Sequence, residues 1–342
     1  MKAVFIKKHG GPEVIHYGDL PKPEIEENDV LINIKYAALN HLDIWVRMGI
    51  PGIKVKFPHI LGSDGAGIVE ECGNKTTSFK KGDKVLIDPG ISCGICTMCR
   101  KGEHSQCKTF HLVGEHIDGT YAEFVKVPEE NVHPIPDGLT MIEAAAFPLT
   151  FLTAWRMLIS KAKIKAGETF LIIGIGGGVA TACLQLAASM KLKTIVTSSD
   201  DNKIKKAREI GAFEGINYKK EDVYKKVKAI TGGEGVDIVF DSVGAETWET
   251  SLKCLKRGGR LITCGATSGG IAQTDIQRVF WNQISIFGST MGSRGEMNEL
   301  LNFMKVAGTR PVIDECFPLK DYKKAQKYME SKKQFGKILI EI

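Results

Sequence analysis

The chain has 342 residues, 43% of them hydrophobic and 25% charged, which is ordinary for a folded globular protein, gives room for two domains, and excludes a fibrous or disordered chain. A formal charge of +6 is a mild excess, carried by short lysine groups such as Lys203, Lys205 and Lys206 with no interleaved aromatics, so no nucleic-acid partner is expected. No apolar run is long enough to span a bilayer, Met1-Lys-Ala-Val-Phe-Ile does not read as a leader, and nine cysteines with isolated members do not form a secreted disulfide framework, so the expected location is cytoplasmic and away from membranes.

The first part of the chain reads as short β-rich pieces broken by Gly and Pro. Val30 to Ala38 alternates like a strand, Gly62 to Val69 is studded with glycine, and Gly82-Asp-Lys-Val-Leu-Ile reads as a turn feeding a strand. Near Met141 the style changes. Met141 to Ser160 is helix-rich, and strands and helices then alternate. Strands are expected at Thr169–Ile173, Thr194–Thr197, Val236–Asp241 and Arg260–Cys264, with helices at Val179–Met190 and Lys203–Ile210. This rhythm predicts a doubly wound parallel sheet. A helix over Lys320–Met329 and a closing strand over Gly336–Ile342 are expected to return to the first domain.

Two motifs carry chemistry. Cys93, Cys96 and Cys99 form two consecutive C-x-x-C steps, and Cys107 follows after a short loop. Four soft thiolates with that slack can close a tetrahedron, which predicts one structural Zn²⁺ per subunit; a redox switch or disulfides are the alternatives. The second motif follows the strand Phe170-Leu-Ile-Ile: Gly174-Ile-Gly-Gly-Gly-Val-Ala leads into a helix. Gly174, Gly176, Gly177, Gly178 and Val179 would let the backbone approach a dinucleotide pyrophosphate at a helix N-terminus. The small residue closing the packing would be Ala180. At the end of the next strand, where an NAD enzyme usually has an acid, the chain reads Thr197-Ser-Ser-Asp-Asp-Asn-Lys. Ser198, Ser199 and Lys203 could hold a 2′-phosphate; Asp200 or Asp201 argues the other way, but both suit helix caps, so NADPH is favoured over NADH.

With these motifs stand Pro58-His-Ile-Leu-Gly, Gly119-Thr-Tyr-Ala-Glu, Glu143-Ala-Ala-Ala, Asp241-Ser-Val-Gly and Phe335-Gly-Lys-Ile. Together they make nearly the whole chain resemble the medium-chain dehydrogenases/reductases, the superfamily of zinc alcohol dehydrogenases and quinone oxidoreductases. The resemblance implies an α/β protein: a GroES-like β-rich catalytic domain over 1–140, with its zinc lobe near 90–110 and completed by 305–342, and a Rossmann cofactor domain over 141–304. It also implies a homodimer or homotetramer paired through the Rossmann domains.

The zinc alcohol dehydrogenases place a catalytic zinc on a Cys, a His followed by Glu, and a Cys or Asp. The matching positions here carry Asn40, Ser63-Asp64 and Leu149. An amide, a hydroxyl and an alkyl group do not replace thiolate and imidazole for Zn²⁺. A metal site rebuilt from His41, His59 and Asp64 is the sharper alternative; satisfied polar groups are preferred. The Asn40 segment resembles the quinone oxidoreductase branch, which moves hydride from NADPH to a quinone or an activated carbon–carbon double bond. By matching position, Thr153 should touch the nicotinamide; Lys203 and Tyr218 should contact the 2′-phosphate; Val243, Gly265, Ala266, Thr267, Gly288, Ser289 and Thr290 should line the nicotinamide pocket. Asn40 is the candidate polar group beside the reacting centre, with Asp43 orienting it. Met48-Gly-Ile-Pro-Gly lacks the Tyr that many quinone reductases place there. Trp45, Trp155, Trp248 and Trp281 are read as packing residues. The expected function is hydride transfer from NADPH to a small-molecule quinone or α,β-unsaturated carbonyl without a catalytic metal. A zinc-dependent alcohol dehydrogenase with a rearranged site and a non-catalytic NADPH-binding sensor are the alternatives.

Overall fold

A computed structural model describes all 342 residues. Its strands in chain order are β1 (Lys2–Ile6), β2 (Ile15–Asp19), β3 (Asp29–Ala38), β4 (His59–Ile60), β5 (Asp64–Cys72), β6 (Lys84–Ile87), β7 (Gly90–Ile91), β8 (His111–Leu112), β9 (Phe124–Pro128), β10 (Val132–Pro134), β11 (Thr169–Ile173), β12 (Lys193–Ser198), β13 (Glu214–Asn217), β14 (Val236–Asp241), β15 (Leu255–Thr263), β16 (Ser285–Gly288), β17 (Ile313–Pro318) and β18 (Lys337–Glu341). The chain folds as two compact units. One joins Met1–Leu149 to Gly292–Ile342, and the other is Thr150–Met291.

The first unit is built on a sheet ordered β10-β6-β5-β3-β18-β17, with β9 also paired to β3, and a smaller sheet ordered β2-β1-β4. The closing strand β18 does return to this unit: it runs antiparallel to β3, with Leu339 opposite Ala38. The core includes Ile32, Ile34, Val85, Tyr121, Val125, Ile338 and Ile340. The helix Met141–Ala146 starts at a Thr140/Glu143 capping box and buries Ala144, Ala145 and Ala146 against β3 and β5. Methyl side chains let it lie close to the sheet. For that reason it sits with the first unit, although the sequence reading began the second domain at 141.

The other boundary also differs, falling at 291/292 rather than 304/305. The helix Arg294–Ala307 is tied to the first unit by polar contacts. Arg294 donates to Ser92 Oγ at 3.2 Å and pairs with Glu130, and Lys305 reaches Asp137 at 2.7 Å.

The second unit is a six-stranded parallel sheet ordered β13-β12-β11-β14-β15-β16. The central strands β11 and β14 are buried almost throughout, as expected where helices cover both faces. Leu171, Ile195, Val239 and Leu261 form part of its core. The helix Gly178–Ser189 buries Ala180, Ala182 and Ala187, small residues that allow close helix–strand packing. Of the four tryptophans, only Trp155 is buried; Trp45 and Trp281 are 37% and 67% exposed. The packing role expected for those two is therefore not theirs. The edge of Trp45 meets His41, and Arg257 lies 5.9 Å from the Trp281 ring.

Candidate functional site

In the first unit the positions that lost metal ligands converge. Asn40 is the N-cap of the helix His41–Met48 and closes a capping box with Asp43. Its backbone N–H donates to Asp43 Oδ2 at 2.8 Å, and its side-chain Nδ2 donates to Asp64 Oδ2 at 2.9 Å. The backbone N–H of Leu149 donates to Asp64 Oδ1 at 2.7 Å. The group that closes this cluster is Lys337, at the start of β18. Its Nζ donates to Asn40 Oδ1 at 2.7 Å, Asp64 Oδ2 at 2.9 Å and the Leu39 carbonyl at 2.8 Å. Lys337 and Asp64 are both buried. A buried ammonium survives only with such partners, and here its three N–H groups meet three oxygens.

The support behind this cluster is also polar. Tyr121 donates to Asp43 Oδ2 at 2.6 Å, and Thr120 Oγ1 donates to the Asp64 carbonyl at 2.8 Å. Burial pushes the Asp43 carboxyl up to about 7, against the pull of the Asn40 N–H and the Tyr121 hydroxyl. The Gly119-Thr-Tyr-Ala-Glu motif thus places two residues that brace the site. Ser63 turns away and donates to the Val113 carbonyl at 2.7 Å. His59 faces the Gly114 carbonyl and Asp118, and His41 faces Trp45. His41, His59 and Asp64 are not brought together as a metal site.

The four cysteines are. Their Sγ atoms lie within 4.8 Å of one another, and no other set of three or more His, Cys, Asp or Glu side chains is placed to hold an ion. Contacts of 3.5, 3.5 and 3.9 Å join Cys96–Cys99, Cys107–Cys93 and Cys93–Cys99. A tetrahedron with Zn–S bonds of about 2.3 Å has edges of about 3.8 Å, so the set fits a zinc ion. The Cys93 N–H and the Thr109 hydroxyl pull the Cys107 thiol down to about 6, which favours a thiolate ligand. Burial holds Cys99 up at about 11.

In the second unit the parallel order brings all strand C-termini to one edge. Gly174 follows β11 with φ +76°, and a Cβ there would lie 3.3 Å from Val243. Its N–H donates to Thr197 Oγ1 at 2.9 Å. The next helix begins at Gly178 with Gly177 as its N-cap, and no side chain caps its first turn. Those free N–H groups are donors for a phosphate. Ser198 ends β12 and its Oγ accepts from the Asp200 N–H; Tyr218 follows β13, and its N–H donates to the Ser198 carbonyl. Asp200 caps the next helix through the Asn202 N–H. Asp201 is not a cap: it sits in the first turn and accepts from Asn217 Nδ2 at 2.7 Å and Lys220 Nζ at 2.5 Å. Lys203 is half-buried on that first turn.

Val243, Gly265–Thr267 and Gly288–Thr290 follow or end β14, β15 and β16 along the same edge. Thr267 N–H bonds the Ser242 carbonyl, and Ser289 N–H bonds the Thr263 carbonyl. Ser289 Oγ is buried without a partner, and Thr153 is buried with its hydroxyl 3.7 Å from Met291 Sδ. This glycine turn, the uncapped helix start and the orphan Ser289 hydroxyl fit a bound dinucleotide.

The sheet order β13-β12-β11-β14-β15-β16, with a glycine turn after its first strand, is the Rossmann arrangement. Family models match both units: an alcohol dehydrogenase GroES-like domain over 26–137 and a zinc-binding dehydrogenase over 178–306. An alcohol dehydrogenase of Geobacillus stearothermophilus is 32% identical, covering 100% of this chain and 99% of the relative. The chain is a medium-chain dehydrogenase/reductase. A quinone oxidoreductase of Pseudomonas aeruginosa is 29% identical over 99% of each chain. A crystal structure of an NAD-dependent alcohol dehydrogenase superposes with a TM-score of 0.96 at 40% identity, covering 100% of both chains. As a member of this superfamily, the protein is an NAD(P)-dependent oxidoreductase.

Sequence reasoning does not single out Lys337, which lies in the Phe335-Gly-Lys-Ile motif of the family resemblance. The available signal was a lysine heading the apolar run Ile338-Leu-Ile: a lysine buried in a strand requires an acid partner.

Proposed function

We propose that this oxidoreductase moves hydride from NADPH to a quinone or an α,β-unsaturated carbonyl without a catalytic metal. The observation that carries it is the Lys337 ammonium between Asn40 and Asp64. A cation already occupies the cluster, and its other members are an amide, a carboxylate and a backbone N–H, with neither thiolate nor imidazole to hold zinc. A conjugated carbonyl needs no Lewis acid to accept hydride, because its oxygen takes up the developing negative charge. Bound NADPH supplies the hydride. The protein's part is to orient the nicotinamide, through Thr153, Ser289 and the loops after β14 and β15, and to present the Asn40 amide to the acceptor oxygen.

NADPH is favoured because the strand β12 ends in a serine and both nearby carboxylates have protein partners. Ser198, Ser199, Lys203 and Tyr218 would take the 2′-phosphate. The Cys93, Cys96, Cys99 and Cys107 set would hold one structural zinc. No helix is long and apolar enough to cross a membrane, and isolated buried thiols such as Cys183 and Cys254 suit a reducing cytoplasm.

A second reading, an alcohol dehydrogenase, is favoured by the names of the Geobacillus relative and of the 40% identical structure. One assay separates them. NADPH oxidation is followed with quinones and enones, and NADP⁺ or NAD⁺ reduction with alcohols, each with and without chelator, beside the zinc content per chain. Chelator-insensitive reduction of a quinone or enone with one zinc per chain is expected. Chelator-sensitive alcohol oxidation with two zincs would reverse the assignment.

A further inference from the structure

We propose that Lys337 is a positioning residue for this reaction: its ammonium fixes the Asn40 amide as a donor toward the acceptor oxygen. The inference rests on the reduction of a quinone or conjugated carbonyl put forward above. It starts from a closed ring of three hydrogen bonds. Lys337 Nζ donates to Asn40 Oδ1, Asn40 Nδ2 donates to Asp64 Oδ2, and that same oxygen accepts from Lys337 Nζ.

The chemistry of the partners leaves the amide one orientation. An ammonium only donates, so it must face the amide oxygen; a carboxylate only accepts, so it must face the amide nitrogen. One N–H of Asn40 is spent on Asp64. The other has only a 3.5 Å contact with the Ala38 carbonyl, at the limit of hydrogen bonding. That N–H is the one donor of the ring with capacity left for a ligand. The ammonium itself has none, because its third N–H goes to the Leu39 carbonyl at 2.8 Å. Lys337 therefore acts through Asn40, and Asn40 is the residue that touches substrate.

The fixed orientation gives the ring its effect. In the reaction the acceptor carbon gains a hydrogen and two electrons as hydride, and the nicotinamide is left oxidised. The conjugated π pair moves onto the carbonyl oxygen, which later takes a proton from water. Negative charge therefore develops at an oxygen, and a donor already held in the right orientation stabilises that charge more than the neutral carbonyl. Asp64 keeps the buried ammonium neutralised, and the Leu149 N–H on its other oxygen shares the carboxylate's charge. The ammonium thus sits within a cage of oxygens from Leu39, Asn40 and Asp64, as the chain's own fixed cation.

The test compares kcat for the best quinone or enone, NADPH affinity by fluorescence, and melting temperature. Lys337→Met leaves Asp64 buried and unpaired, which threatens folding, so the neutral pair Asp64→Asn/Lys337→Met is made as well. Removing one such preorganised group typically costs about a hundredfold in kcat. A fall of that order in the folded double variant, with NADPH affinity held within twofold, is the expected result. Lys337→Ala adds a readout that separates positioning from stability. Ethylammonium added at millimolar concentration should raise its kcat severalfold and saturably without raising its melting temperature, while leaving the parent unchanged. A double variant that keeps more than half of the parental kcat, or a folded Lys337→Ala protein indifferent to the amine, would overturn the proposal alone. A parent that reduces neither quinones nor enones would overturn the functional reading and this inference with it.

Discussion

Asp88 shows how much a single side chain can carry away from the cluster around Lys337. It is buried beside β7, its Oδ1 accepts the Gly90 N–H at 3.0 Å, and Asn131 donates to its backbone carbonyl. Burial pushes its carboxyl up to about 6, against the pull of the Gly90 N–H and the Arg294 cation. Between the ordinary value of 3.8 and about 6, the folded protein keeps this proton and the unfolded chain releases it. The stabilising contribution is therefore full below pH 4, is lost as pH rises through 6, and stays lost above, a span of about 3 kcal/mol. Asp88→Asn keeps an acceptor for the Gly90 N–H and removes the titration. The variant's melting temperature relative to the parent should climb by several degrees between pH 4.5 and 7.5. Taking the difference cancels opposing groups such as His133, which burial lowers to about 4. A difference that does not change with pH would sink the argument. Nothing in the sequence marks Asp88 for this role, because its burial comes from β7, Asn131 and Arg294, which meet it only in the fold.

At the scale of elements the sequence was most legible where one strand or turn carries its own signal. β11 and β14 were read to the residue because parallel strands covered on both faces are continuous apolar runs. β15 begins at Leu255, five residues before the expected start, because Lys256, Arg257 and the glycines after them break the apolar run without ending the strand. The ring around Asn40 was not legible: Lys337 and Asp64 are 273 residues apart, and only the pairing of both β18 and β5 with β3 brings them together. The cysteine lobe lies between these extremes, since its ligands are local and its spacing alone predicts the site. Its regular structure is slight: the two-residue strands β7 and β8, the helix Thr97–Arg100 and one turn at His104–Gln106. So little apolar packing leaves the ion to hold the lobe. Release of zinc by a thiol-directed mercurial should expose the 93–107 segment to protease and lower the melting temperature by at least several degrees. Affinity for the nicotinamide cofactor should stay within twofold, because the residues proposed to bind it belong to the second unit. Unchanged protease resistance after one zinc per chain has been released would show that the lobe holds itself.

For the whole molecule, the second unit's sheet raises a question of association. Its edge strand β16 pairs only with β15, and three of its four residues are exposed. Around it the chain shows water Ile276 at 73%, Phe280 at 63%, Trp281 at 67% and Ile286 at 39% exposure. A monomer rarely leaves an unpaired strand edge beside large apolar side chains, since both favour joining another chain. A second copy related by a two-fold axis would place β16 antiparallel to its own counterpart, extend the six-stranded sheet across the pair and cover both tryptophans. That is the pairing through Rossmann domains which the family resemblance implies, and it adds nothing to the ring around Lys337, whose members all belong to the first unit. Replacing Trp281→Glu together with Ile286→Lys puts charge on this face and leaves the core residues Leu261 and Val239 untouched. Sedimentation should find the parent as a dimer or tetramer and the double variant shifted to monomer, or from tetramer to dimer if a second interface exists. The variant should still bind the nicotinamide cofactor, because the glycine turn at Gly174 follows β11, three strands from this edge. A variant that sediments like the parent would move the interface elsewhere and leave the exposed tryptophan in need of another partner.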